Sequence, residues 1–379
     1  MRIVLLGYMV RGPLAGMTYH HLQYAAGLRK LGHDVLFVED SGDTEYCCYD
    51  PEKHVVGKDP EYGLAYAKRI FDSTGLGNNW AYFDKHKNEW HGPLSGNVLD
   101  EIKKADVLIN LSLSNTMRDW FMGVPLRAAI DTDPVFTQIR NLTNDDRHAL
   151  TSAHNRFFTF GENFGKTDCR IPRDGFNWLP TRQPIVPGFW KSEKDNGKWT
   201  TIMQWDSYPD RQWNGIHYGM KSRSINTFLH LPSKLPDERL EIALGGASAP
   251  SEELLEAGWN IVDSLSVSKD TERYKEYIGS SRGEWSVAKH GYVIAKSGWF
   301  SERSACYLAA GKPVILQDTG FSEILPCGKG LFTFNEAKEI IDIIEEINGN
   351  YPHHCMAASQ VAKTYFDFTH VLNGLLEKL

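Results

Sequence analysis

The chain has 379 residues and a mass of 43.0 kDa, enough for two ordinary domains or one large α/β unit. Hydrophobic residues make up 41% and charged residues 23%, which excludes wholesale disorder. Lys and Arg number 41 against 48 Asp and Glu, a net charge of −7, so bulk charge offers nothing to nucleic acid or an anionic membrane and any anion must be held by a local site.

The apolar start, Met1 to Gly7, stops early and runs into Arg11-Gly12 without a cleavage pattern, so it reads as a buried strand and not a leader. No window approaches the ~20 apolar residues of a membrane span. Arg2–Leu6 is the first strand, and the loop from Gly7 to Gly16 breaks all periodicity. Thr18 is placed to cap a helix whose Leu22, Ala25, Ala26, Leu28 and Leu31 recur at helical spacing. Gly32 ends it, and Asp34–Glu39 is the second strand. Strand, helix and strand with a tight return imply a right-handed parallel crossover, the seed of a Rossmann-like sheet.

Residues 41–100 read as one or two helices, near 60–73 and 97–104, among long loops. Apolar strands return at Ala105–Leu111, Leu126–Asp131 and Arg156–Phe160. Pro172, Pro180, Pro184 and Pro187, followed by the polar run 191–198, have the composition of an interdomain crossing. Beyond it the alternation restarts, with strands at Trp199–Met203, Leu240–Leu244, Asn260–Val262, Glu284–Ala288 and Pro313–Leu316. Helices are expected at 221–230, 251–257, 270–279, 302–310 and 335–348, and the tail from Tyr351 is helical. The predicted fold class is α/β, two Rossmann-like doubly wound domains facing across a cleft. Residues 1–185 form the first, 186–360 the second, and 361–379 a helix that crosses back to the first.

Six cysteines without Cys-x-x-Cys pairing are expected to be reduced thiols of a cytoplasmic protein. Aromatic content is 12%, with 11 tryptophans, most of them expected in core and domain interface. His353-His354 has no partner at metal-ligand spacing, so no metal site is expected. The first loop lacks Gly-x-Gly-x-x-Gly, which disfavours a nicotinamide dehydrogenase.

Ligands of such sheets bind beyond the carboxyl ends of the strands. The strongest candidate is residues 296–320: a glycine-containing loop, a helix starting near Ser301, a Gly-Lys-Pro turn and a buried strand. A helix start offers free N–H groups and a positive dipole end, and Lys296, Ser301, Glu302, Arg303 and Ser304 stand around it. A second candidate is the loop after 199–203, through Arg211 to Lys221. A third is the Gly245-Gly246 turn. The competing reading of each is structural: Ser301 a helix cap, Arg303 a solvated charge, the 211–222 loop an ordinary surface. On the other side of the cleft His20 and His21 follow Gly16 and Met17 near a helix start, where an imidazole stays neutral and can act as a base. Asp131 and Asp133, beyond the Leu126–Ile130 strand, open onto the same cleft, where either could orient the imidazole or cap the next helix.

Ala309-Ala310-Gly311-Lys312-Pro313-Val314-Ile315, followed by Asp318-Thr319-Gly320-Phe321-Ser322-Glu323, resembles the C-terminal donor-binding domain of GT-B-type glycosyltransferases. The likeness is specific over residues 296–325 and architectural elsewhere. It implies a metal-independent transfer of a hexosyl group from a nucleoside-diphosphate sugar, with a UDP-sugar as co-substrate and no other cofactor, to a hydroxyl acceptor. The implied donor contacts are Arg211, Lys221, Gly245, Gly246, Lys296, Ser301 to Ser304, Asp318 and Glu323, with Gly16 and Met17 on the acceptor side. Many retaining members carry two glutamates seven residues apart before the glycine turn; those places hold Gly298 and Cys306 here. Inversion with a His20 or His21 base, supported by Asp131 or Asp133, is the expectation. An epimerase or hydrolase of the same fold would need paired carboxylates near the sugar, and none can be placed. A non-catalytic nucleotide-sugar binder is the third reading.

Overall fold

The computed structural model describes residues 1–379, which form two large parallel sheets. In the N-terminal half the strands are β1 (Arg2–Leu6), β2 (Asp34–Asp40), a hairpin β3 and β4 (Cys48–Asp50, Val55–Gly57), β5 (Trp80–Asp84), β6 (Glu89–His91), β7 (Val107–Leu111), β8 (Leu126–Asp131), β9 (Arg156–Thr159) and β10 (Leu179–Pro180). The hairpin aside, they pair in the order β10-β9-β8-β7-β1-β2-β5-β6, parallel except for β6. Helices cover both faces, so Ile3, Val4, Leu5 and Leu6 of β1 are all fully buried.

The C-terminal half repeats the plan with β11 (Lys198–Gln204), a hairpin β12 and β13 (Arg211–Trp213, Ile216–Tyr218), β14 (Arg239–Gly245), β15 (Asn260–Asp263), β16 (Gly283–Ser286), β17 (Val314–Gln317) and β18 (Leu331–Phe334). Its order is β15-β14-β11-β16-β17-β18, parallel throughout. Each sheet therefore reverses its winding beside its first strand: between β1 and β7, and between β11 and β16. The predicted doubly wound pair is what the chain forms.

Some local readings need correction. The first helix spans Ala15–Lys30, and Thr18 lies inside it, its hydroxyl bonded to Leu14 O and Tyr66 Oη. Its start is set by the Gly12-Pro13 turn, so His20 and His21 sit in the second turn. Residues 41–100 hold four strands as well as the helices Glu61–Ser73 and Val98–Lys103. The expected 221–230 helix breaks into Lys221–Ile225, a 3-10 turn and Leu231–Lys234, with Pro232 at the restart. No helix is long and apolar enough to cross a membrane, and all six cysteines are free thiols.

Eight of the eleven tryptophans are buried. Trp259, Trp285, Phe228 and Phe334 build the C-terminal core, while Trp190 packs with Tyr19 and Tyr274 where the domains meet. The chain crosses between domains around Ile185, whose N–H and C=O pair with Phe366 O (2.7 Å) and Phe368 N (2.9 Å). The last helix, Phe368–Leu376, lies against Ala15–Lys30. Gly27 permits this close approach, since a Cβ there would stand 2.7 Å from Leu372 Cδ1. Leu372 is fully buried in that seam. Leu372→Ala should cost about 2–5 kcal/mol in chemical denaturation; an unchanged midpoint would show that the last helix does not contribute to the fold.

Candidate active site

The carboxyl ends of the two sheets face one another, and the crevice at each winding reversal is where such sheets take ligands. On the C-terminal side that crevice is bounded by the residues after β11 and β16. Lys289 follows β16, and the helix Glu302–Ala309 and Lys221 stand beside it. The N–H groups of Glu302, Arg303 and Ser304 precede the first helical hydrogen bond, Ala305 N to Ser301 O (3.1 Å). Ser301 Oγ and Ser304 Oγ are buried and have no protein partner. Lys221 forms no ion pair, and burial, with the nearby charges of Arg303 and Lys289, lowers its ammonium to a pKa of about 7. Free N–H groups, two unpartnered hydroxyls and an unpaired cation make a seat for an anion.

The Arg303 guanidinium is not part of that seat. It donates to Glu284 Oε1 (2.5 Å), Ser286 Oγ (2.8 Å) and Ile202 O (2.8 Å), an internal strut tying the helix to β16 and β11. Lys296, Asp318 and Glu323 lie instead on a seam with the loop after β9. Asn163 Nδ2 donates to Lys296 O (3.1 Å) and Gly320 O (3.0 Å), and Lys166 faces Glu323 at 3.8 Å. Asp318 organises its own turn through Gly320 N (2.8 Å) and Ser322 Oγ (2.6 Å). Gly245 and Gly246 pack under Gln204, Trp205 and Ser264. Arg211 lies on the β12–β13 hairpin with its Nε buried and unpartnered.

The N-terminal crevice, between the ends of β1 and β7, is different. Its first loop has its N–H groups already occupied: Glu39 accepts from Met9 N (2.7 Å), Val10 N (2.8 Å) and Arg11 N (2.8 Å). The place where a Rossmann loop would hold a phosphate is filled by a carboxylate of the chain itself. Next to it, His20 Nε2 lies 3.1 Å from Ser112 Oγ, and His20 Nδ1 lies 2.6 Å from Gln183 Oε1. Gln183, and neither Asp131 nor Asp133, is the partner that orients His20. Burial lowers the His20 pKa, against the charge of Glu302 across the cleft and the Gln183 hydrogen bond. His21 points away: its Nδ1 donates to Met17 O (2.8 Å), its Nε2 is buried without a partner, and burial keeps it neutral. Gly16 lies under Tyr274 of the other domain.

Asp131 is an internal acceptor for Thr159 Oγ1 (2.8 Å), Gln138 Nε2 (3.0 Å) and Asp133 N (2.9 Å). Asp133 bridges the two domains. It accepts from Arg140 (2.7 Å) on its own side and from Lys289 (2.9 Å), Tyr292 (2.5 Å) and Tyr208 on the other. Burial disfavours its charge, but Lys289 and Arg140 outweigh that and hold the carboxyl well below the usual range. Sequence reasoning missed Ser112, Gln183, Lys289 and the two tyrosines. Lys289 alone carried a signal, as the cation just past an expected strand.

Two facing doubly wound domains constitute the GT-B fold. No protein-family profile and no curated protein matches the sequence. Among solved structures the chain is similar to an alpha-glucosyltransferase in complex with UDP and a 13-mer DNA containing an HMU base (11% identity, 100% of this chain and 98% of that one, TM-score 0.56). It is also similar to Anabaena Alr3699/HepE in complex with UDP and glucose (10%, 100% and 98%, 0.56) and to AviGT4, a glycosyltransferase involved in Avilamycin A biosynthesis (12%, 100% and 96%, 0.52). At such identities the shared property is the fold.

Asp133→Ala leaves Lys289 and Arg140 without their shared acceptor and should cost on the order of 3 kcal/mol at neutral pH. Because the folded carboxyl pKa is depressed, this contribution is complete above the unfolded value of about 4 and is lost as pH falls through the folded one. The stability gap between wild type and variant, measured by denaturant unfolding, should therefore stay constant from about pH 5 to 8; a gap that closes within this range would contradict the assignment.

Proposed function

We propose that the protein is a glycosyltransferase that moves a hexosyl group from a nucleoside-diphosphate sugar, a UDP-sugar, to a hydroxyl acceptor, with inversion and without a metal. The observation that carries this reading is the pairing of two unlike crevices: an anion seat at Ser301–Ser304 and Lys221, and a neutral imidazole whose proton affinity Glu302 raises from across the cleft. The solved structures of the same fold that hold UDP or UDP-glucose support the donor class.

In this reading the donor diphosphate lies against the helix N–H groups, the Ser301 and Ser304 hydroxyls and Lys221. These groups stabilise the charge that gathers on the diphosphate as the sugar leaves, the task a divalent cation performs elsewhere. His20 is the general base of the transfer, the residue on which the proton lost by the acceptor is compensated, and it stays unprotonated because it is buried. Arg303 fixes the helix start from below.

Thermal-shift and calorimetric screening with UDP, GDP, TDP and their sugars tests the donor class; no binding to any of them overturns the proposal. Lys221→Ala should weaken UDP-glucose binding about ten- to hundredfold. Lys221 titrates near 7 in the free protein, and a diphosphate beside it raises that value. Binding should therefore take up a proton above about pH 7, and affinity should fall as pH rises past it. Calorimetry of UDP-glucose in buffers of different ionisation enthalpy reads this directly, and pH-independent affinity would remove Lys221 from the seat.

Inversion is tested by the anomer formed. With water as acceptor, UDP-glucose should release β-glucose first, visible by proton NMR before mutarotation. Release of α-glucose would replace inversion by retention and leave His20 without the role of base.

A further inference from the structure

We infer that Ser112 is the residue that meets the acceptor hydroxyl, relaying its proton to His20; this rests on the transferase reading above. His20 is only 6% exposed, and the nitrogen that would act as base, Nε2, faces Ser112 Oγ at 3.1 Å. Ser112 is part-exposed at the end of β7, beside β1, where the N-terminal sheet reverses its winding. A base buried behind a hydroxyl reaches the cleft through that hydroxyl.

The proton inventory is fixed by the partners. Gln183 Nε2 donates to His20 O (3.1 Å) and Pro184 O (3.2 Å), so its Oε1 faces the imidazole. An amide oxygen only accepts, so His20 carries its proton on Nδ1 and leaves Nε2 as an acceptor. Ser112 donates to Nε2, and its own lone pairs remain for Thr132 Oγ1 (2.8 Å) and an incoming hydroxyl. Gln183 is a positioning residue: it sets the tautomer and touches no reacting atom.

The backbone supports the assignment independently. Ser112 and Leu113 both lie in the left-handed region, at φ 60° and 48°, which side-chain-bearing residues seldom occupy and never cheaply in succession. The turn is held there by several contacts. Asn110 Nδ2 donates to Asn115 O (3.0 Å), Asn115 Nδ2 to Gly7 O (2.8 Å), and Arg11 to Ser114 O (2.6 Å). A strained turn fixed from three sides, holding a hydroxyl at a part-exposed strand end, is how a reactive side chain is presented.

In the transfer step the acceptor oxygen bonds to the sugar C1 as the bond from C1 to the diphosphate oxygen breaks, its electron pair leaving with the diphosphate. The acceptor proton moves to Ser112 Oγ while the Ser112 proton moves to His20 Nε2. The resulting imidazolium faces Gln183 Oε1 and the Glu302 charge.

The test uses UDP-glucose with water as acceptor, following UDP release, alongside UDP affinity by calorimetry and circular dichroism of each variant. Ser112→Ala and His20→Ala should each lower kcat on the order of 100-fold with KM and UDP affinity unchanged. The double variant should be no slower than the worse single one, because the two residues act in series. Gln183→Ala should slow turnover and Gln183→Glu restore it. Imidazole nitrogen NMR should show the Nδ1–H tautomer of His20, with the Nε2 resonance shifted in Ser112→Ala. Wild-type kcat in Ser112→Ala, multiplicative losses in the double variant, or an Nε2–H tautomer would each overturn the relay while leaving donor binding intact. A wild-type protein that binds no sugar nucleotide, or binds one without turning it over, removes the transferase reading and the relay with it.

Discussion

The arrangement of this molecule turns on one carboxylate held between two domains. Asp133 lies just past β8 of the N-terminal sheet, yet most of its donors belong to the other half: Lys289, Tyr208 and Tyr292. A charge taken from water into such a place persists only if its partners replace hydration, and here four donors do so. The bond network ties the two strand-end faces together across the cleft.

The acidic balance of the chain gains a local meaning from this geometry. A net charge of −7 is compatible with anion binding because the positive groups are few and placed. They also divide their labour. Arg303 is spent on holding β11, β16 and a helix together, and Lys289 on joining the domains, while Lys221 beside them has no ion-pair partner. A half-buried cation with no counter-ion and two like charges nearby gives up its proton more readily, which is why its pKa is lowered.

The doubly wound halves were legible because buried parallel strands announce themselves as apolar runs: Arg2–Leu6 and Leu126–Asp131 coincide with the sequence reading. β5 and β18 were not, since Trp-Ala-Tyr-Phe-Asp and Leu-Phe-Thr-Phe are short aromatic runs amid glycine-rich sequence. His20 was legible as a histidine near a helix start. Its two partners were not, because Ser112 and Gln183 lie 92 and 163 residues away and meet it only once the sheet has closed. Arg303 was misjudged for a related reason: whether a charge is solvated or internal depends on what faces it, and Glu284 comes from a different strand. Local pattern specifies elements; pairing across the sheet specifies chemistry.

Glu39 carries a consequence of another kind. Two Rossmann-like halves built on one plan bring two equivalent loops able to seat a phosphate, and a protein with both open could bind a nucleotide the wrong way round. In this chain the carboxylate of Glu39 sits in one of them, 1% exposed, bonded to three successive N–H groups. It acts as an internal plug that removes the degeneracy of a repeated scaffold. In the transferase proposed above, the exclusion of the nucleotide from this wall is thereby written into the second strand of the first domain, before either ligand arrives.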